Sequence, residues 1–155
     1  MTCTLFVVRH GIAVEAGPGV GDADRALTET GARKVTRVAL GLHRLGVQPD
    51  AILSSPLRRA EQTAERLKRI LLPSQAVEIY APLAPGHDPN EVITGLHPQR
   101  GARQLILVGH QPDLGALVSH LLTGSNALVQ FDFKKGSVAA VELPSLSPRS
   151  AGILR

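Results

Sequence analysis

The sequence predicts an α/β fold: a single three-layer α/β/α domain with a mostly parallel central sheet and a C-terminal hairpin. Three observations carry this. Short apolar, β-branched runs at 5–8, 51–53 and 105–108 are too brief for helices and lack the alternation of a sheet with one wet face. Longer stretches between them place apolar residues at helical spacing, so strand and helix alternate as in βα units. With 155 residues, the chain has room for one such domain. Residues 1–155 are read as that domain, with a core over about 4–143 and a loose tail over 144–155.

Leu5-Phe6-Val7-Val8 is the first strand, buried on both faces. A glycine-rich connection over 9–25 follows. Thr28 and Glu29 open a helix whose apolar face is Val35, Val38, Ala39, Leu42 and Leu45, and Gly46 stops it. Ala51-Ile52-Leu53 is the second strand and runs into Ser54-Ser55-Pro56. The next helix carries Ala60, Thr63, Ala64, Leu67, Ile70 and Leu71 on one face and ends at Pro73. Residues 77–80 read as a weaker strand, and 90–96 as a short helix after a proline-rich loop. Leu105-Ile106-Leu107-Val108 is the strongest strand signal, and Pro112 falls in the first turn of a helix bearing Leu114, Leu117, Val118, Leu121 and Leu122. Runs 128–133 and 137–143, separated by Lys134-Lys135-Gly136, are expected to form the terminal hairpin.

Composition excludes several classes. The chain is 43% apolar and 19% charged, so it can bury a core and is not a disordered chain. Its single cysteine, Cys3, can make no internal disulfide and no zinc cluster, and it has no neighbour that would activate the thiol. Three phenylalanines, one tyrosine and no tryptophan leave no stacking platform for bases. The net charge of +4 is distributed in short pairs such as Arg58-Arg59 and Lys134-Lys135, not in the run expected of a nucleic-acid tail. No nucleic-acid partner is expected. The apolar stretch 5–8 lacks a basic flank before it and is interrupted by Arg9, so neither a signal peptide nor a membrane span is read; a cytoplasmic location is expected.

In open α/β sheets, ligands bind beyond the carboxyl ends of strands. His10 and His110 each follow a strong strand directly, Arg9 is beside His10, and the Arg58-Arg59 pair opens a helix. Arginine forks hold phosphate or carboxylate oxygens, and a helix N-terminus adds a positive field. Two histidines and several arginines, with no acidic or thiolate ligands beside them, suit a phosphoryl site better than a metal site. A neutral imidazole can attack phosphorus while arginines and a second imidazole hold the equatorial oxygens. Neighbouring arginines also lower the pKa of the attacking ring, which keeps it neutral.

Arg9-His10-Gly11, the segment Ser55-Pro56-Leu57-Arg58-Arg59-Ala60-Glu61-Gln62-Thr63-Ala64, and Gly109-His110, in that order, resemble the histidine phosphatase (phosphoglycerate-mutase-like) superfamily. The short length, the Arg25-Ala26-Leu27-Thr28 segment and the Arg-Ala-Glu-Gln-Thr phrase resemble its small phosphohistidine phosphatases most closely. The resemblance implies that His10 becomes phosphorylated, that Arg9, Arg59 and Arg25 bind the phosphoryl oxygens, and that His110 stabilises the transferring group. It implies no cofactor and no metal. One departure stands out: many ester-cleaving members place a glutamate after the third strand as general acid, and the loop 81–89 has none. An alkoxide leaving group needs a proton, whereas an imidazole leaving from a protonated phosphoramidate does not.

The expected function is therefore a phosphatase with a phosphohistidine intermediate, acting on a phosphohistidine-bearing protein. The alternatives are a small-molecule phosphomonoesterase that uses His87 or Asp88 as proton donor, and a phosphate- or phosphoprotein-binding module without turnover. Arg25 can pair with Asp22 or Asp24 at the surface, Arg58 is a solvated helix charge, and His43, His97 and His120 are structural or exposed. Gly17-Pro18-Gly19-Val20-Gly21 does not fit a phosphate-binding loop and reads as a flexible rim. The sequence leaves the oligomeric state open, and a monomer suffices for this site.

Overall fold

The computed structural model describes residues 2–147 and 151–155. Its strands are β1 (Cys3–Arg9), β2 (Ala51–Ser54), β3 (Glu78–Ile79), β4 (Gln104–Gly109), β5 (Val138–Leu143) and β6 (Ile153–Leu154), and its α-helices are α1 (Glu29–Arg44), α2 (Arg58–Leu71), α3 (Pro89–Gly95) and α4 (Asp113–Thr123). The strands form one sheet in the order β3-β2-β4-β1-β5-β6. β3, β2, β4 and β1 run parallel, while β5 lies antiparallel to β1 and β6 antiparallel to β5.

The central strands bury both faces because alternate side chains feed two cores. Leu5, Val7, Leu105 and Leu107 pack with Val92 and Ile93 of α3 and with Leu114, Leu117, Val118 and Leu121 of α4. Phe6, Val8, Ile52, Ile106 and Val108 pack on the other face with Val35, Ala39 and Leu42 of α1 and Ala60, Ala64 and Leu67 of α2. Each fully buried aliphatic side chain contributes about 1.5–3 kcal/mol, so this is the three-layer arrangement that continuous apolar strands require. No helix among the described residues is long and apolar enough to cross a membrane.

Helix α1 begins where the sequence places it. Thr28 is its N-cap and accepts a hydrogen bond from Gly31 N at 2.9 Å. The same hydroxyl donates to the Ile12 carbonyl at 3.3 Å, which ties the loop after β1 to the helix start. A Cβ at position 31 would run into that carbonyl, so glycine is required there by close approach.

Five expectations change. The run 128–133 is not a strand: Leu128 is 71% exposed, and the main chain is held by side chains instead of a ladder. Val129 N donates to Ser119 Oγ, Gln111 Nε2 donates to the Phe131 carbonyl and Arg9 donates to the Phe133 carbonyl. The antiparallel hairpin is instead β5 with β6, in register Val141 with Leu154 and Glu142 with Ile153. Residues 153–154 are thus paired and not loose, and part of the expected tail, 148–150, lies outside the described residues. The third strand shrinks to two residues, and Pro112 is the N-cap residue of α4, one place before its first turn.

Candidate active site

Three parallel strands end side by side. Beyond the last residues of β1, β2 and β4, His10 N donates to the Gly109 carbonyl at 3.1 Å and Ser55 N to the Val108 carbonyl at 2.9 Å. These bonds bring His10, Ser55 and His110 to one edge of the sheet, the edge where open α/β folds bind ligands.

The two imidazoles are neighbours, with ring centroids 5.1 Å apart and an interplanar angle of 51°. They are only 5% and 4% exposed, so water cannot stabilise a charge on either. Burial, together with Arg59, Arg9 and Lys135, pushes His10 down to about 4, although the bond to the Gly11 carbonyl opposes this. Burial, then His10 and Arg59, pushes His110 down to about 3. Both rings are neutral near pH 7. The tautomer of His10 follows from its partners: Nδ1 lies 2.7 Å from the Gly11 carbonyl, which can only accept, so Nδ1 carries the proton. Nε2 keeps its lone pair and accepts from Arg59 Nε at 3.3 Å.

α2 organises this arrangement from one face. Arg59 reaches His10, Gln62 Oε1 accepts from Leu27 N at 2.7 Å, and Thr63 Oγ1 accepts from Gly11 N at 3.0 Å while donating to the Arg59 carbonyl. The Arg-Ala-Glu-Gln-Thr phrase is therefore a set of tethers to the loops after β1, with Ala60 and Ala64 buried between them. Leu57 gives the helix no side-chain cap, and two arginines sit at its positive end, an arrangement that favours an anion there.

The sequence-predicted residues divide. Arg9, His10, Arg59 and His110 come together. Arg9 donates to the Phe133 carbonyl, and its buried Nε has no hydrogen-bond partner among the described residues; the same holds for His110 Nδ1. Both atoms are polar, buried and without a partner in this arrangement. Arg25 forms the expected ion pair with Asp22 at 2.9 Å and a bond to the Val14 carbonyl, and Asp22, which also binds Arg59, is what links it to the other four. Arg58 is exposed, as are His43 and His97, and His120 is buried with Nδ1 on Asn126. His87 pairs with Glu91 at 2.7 Å and shares a narrow cleft with His110, Asp113 and Leu114. Asp88 caps α3 and accepts from Asn90; these bonds hold its carboxyl below the usual range, which disfavours a proton donor. Cys3 is buried in β1, and burial pushes its thiol up to about 11.

Three residues of the site were not singled out by sequence. Ser55 Oγ lies 2.7 Å from His110 Nε2. Thr63 supports Gly11, and Asp22, expected at most as a partner of Arg25, also binds Arg59. The signal for Ser55 was its position after a strand, the same signal that selected the histidines. Among the described residues, no group of three or more His, Cys, Asp or Glu is placed to hold a metal ion.

Fold and site define an α/β protein with two neighbouring neutral histidines, one of them met by an arginine, at the carboxyl edge of its sheet. The chain belongs to the histidine phosphatase superfamily. Residues 5–80 match the model of that superfamily, branch 1. The chain is 32% identical over 142 residues to the phosphohistidine phosphatase SixA of Escherichia coli (strain K12), covering 90% of this chain and 84% of that protein. It is 40% identical over 113 residues to an uncharacterised Picosynechococcus protein, covering 72% of this chain and 68% of that one. A structure of the protein histidine phosphatase SixA complexed with tungstate superposes with a TM-score of 0.85 at 30% identity, over 98% of this chain and 94% of that chain. The family and this likeness make phosphatase the class of its chemistry.

Proposed function

We propose that the protein dephosphorylates phosphohistidine borne on another protein, through a phospho-His10 intermediate and without a metal ion. The observation that carries this reading is the state of His10: neutral, protonated at Nδ1 by its bond to Gly11, with the Nε2 lone pair facing Arg59 Nε. In the first step Nε2 forms a bond to phosphorus as the P–N bond of the ring-protonated substrate breaks, and the leaving imidazole keeps that proton and departs neutral. In the second, water attacks phosphorus, the His10–phosphorus bond breaks and inorganic phosphate leaves. Arg9, Arg59 and Arg25 supply donors to the equatorial oxygens in both steps. His110 enters neutral, and a bound dianion raises its affinity for a proton. Tungstate, found with the similar SixA structure, is a tetrahedral oxyanion like phosphate.

The substrate reading is supported by what the loop after β3 holds. It has no glutamate, Asp88 is engaged as a helix cap, and so no strong acid stands ready for an alkoxide. A second reading, a small-molecule phosphomonoesterase with His87 as donor, draws on His87 lining the same narrow space as His110. Turnover of a phosphohistidine peptide, an aryl phosphate and an alkyl phosphate separates the two. The peptide is expected to turn over fastest and the alkyl ester slowest; equal rates on the alkyl ester would overturn the leaving-group argument. Phosphate binding with no turnover of any of the three would leave a binding module.

A further inference from the structure

Arg59 directs its donors to two partners. Nε faces His10 Nε2 at 3.3 Å, while NH1 donates to the main-chain carbonyl of Asp22 at 2.6 Å and NH2 to Asp22 Oδ2 at 3.1 Å. The end of the guanidinium is filled by Asp22, and its side, which carries Nε–H, is turned to His10. The five N–H groups of arginine lie in one rigid plane, so holding one edge aims the other. The second carboxylate oxygen of Asp22 accepts from Arg25 NH1 at 2.9 Å, and Arg25 Nε is anchored on the Val14 carbonyl.

Burial does not put Asp22 there. Its side chain is 60% exposed against 6% for Arg59 and 16% for Arg25, and the short turn Asp22–Asp24 that carries it has no buried residue. The two arginines are what the carboxylate is placed for. Asp24, in the same turn, has no ion pair with either among the described residues.

We propose that Asp22 is a positioning residue of the phosphoryl clamp: it holds the outer edge of Arg59 so that the inner edge meets the phosphoryl group on His10, and its pairing with Arg25 fixes the carboxylate in place for that task. This inference rests on the phospho-His10 reading. Because the aim of Arg59 matters most where charge develops in transfer, loss of Asp22 acts on kcat more than on KM.

The test compares Asp22→Ala, Asp22→Asn and Asp24→Ala with the unsubstituted protein, on a phosphohistidine peptide and with inorganic phosphate as inhibitor. Thermal melts confirm that each variant folds. Asp22→Ala is expected to lower kcat about ten- to a hundredfold with KM changed less than about threefold, the scale of a misplaced catalytic group. Asp22→Asn, which keeps an acceptor for Arg59, recovers much of the loss, and Asp24→Ala behaves as the unsubstituted protein. An unchanged kcat in Asp22→Ala, or a tighter grip on phosphate with kcat retained, would make Asp22 a mere competing counter-ion and overturn the proposal. Equal losses in Asp22→Ala and Asp24→Ala would do the same, by assigning the effect to loop order. Acid-labile label on His10 of the unsubstituted protein keeps the two readings apart: with label present, a neutral Asp22→Ala removes only the positioning role, and with label absent both readings fall.

Discussion

Arg59 Nε points at Nε2 of His10 from 3.3 Å, the one ring nitrogen that the Gly11 carbonyl leaves without a proton. A cation beside a lone pair suppresses protonation, and it is also the first donor a phosphoryl oxygen meets when that lone pair bonds to phosphorus. One contact thus prepares the nucleophile and the transition state.

Arg59→Lys keeps the charge but not the planar fork. Removal of a single oxyanion donor costs about 10²–10³ in kcat, and Arg59→Lys is expected to lose nearly as much as Arg59→Ala. Steady-state rates check this; a lysine variant with most of the original kcat would show that charge alone suffices.

Neither imidazole should titrate near neutrality. Burial first, and arginines with it, push His10 to about 4 and His110 to about 3. Histidine ring resonances followed by NMR are expected to hold their shifts for both rings from about pH 5.5 to 8. A midpoint near the ordinary 6.5 for His10 would contradict the site electrostatics.

The same values give a pH dependence of folding. Both folded pKa values lie below the unfolded 6.5, so as pH falls the unfolded chain takes up protons before the folded one. The stability contribution is complete above pH 6.5 and is lost as pH falls toward about 4 and about 3. Urea midpoints are expected to drop between pH 7 and pH 5, and to drop less in His110→Gln. An equal drop in that variant would assign the loss to other groups.

Thr63 is a tether, and removing it exposes the tethered group's need. Thr63→Val leaves the buried Gly11 N–H without its acceptor, which costs about 1–3 kcal/mol. Denaturant unfolding measures it; a loss near zero would mean that water replaces the hydroxyl.

These partners show where sequence reading stops. β1, β2, β4 and their helices were legible because each buries a periodic or continuous apolar run, and His10 and His110 because both follow such strands directly. The run 128–133 was misread because its apolar residues resemble a strand, while its main chain is claimed by Ser119, Gln111 and Arg9. No local pattern encodes those contacts. Ser55 with His110 and Asp22 with Arg59 are separated by 55 and 37 residues, and only the folded sheet edge brings them together.

The central claim is that His10 Nε2 takes the phosphoryl group. Incubation with labelled phosphoramidate, an alkaline quench and peptide mapping at alkaline pH test it most directly. Alkali-stable, acid-labile phosphate is expected on His10 and is expected to be lost in His10→Ala. Label on another residue, or turnover that survives in His10→Ala, would contradict it.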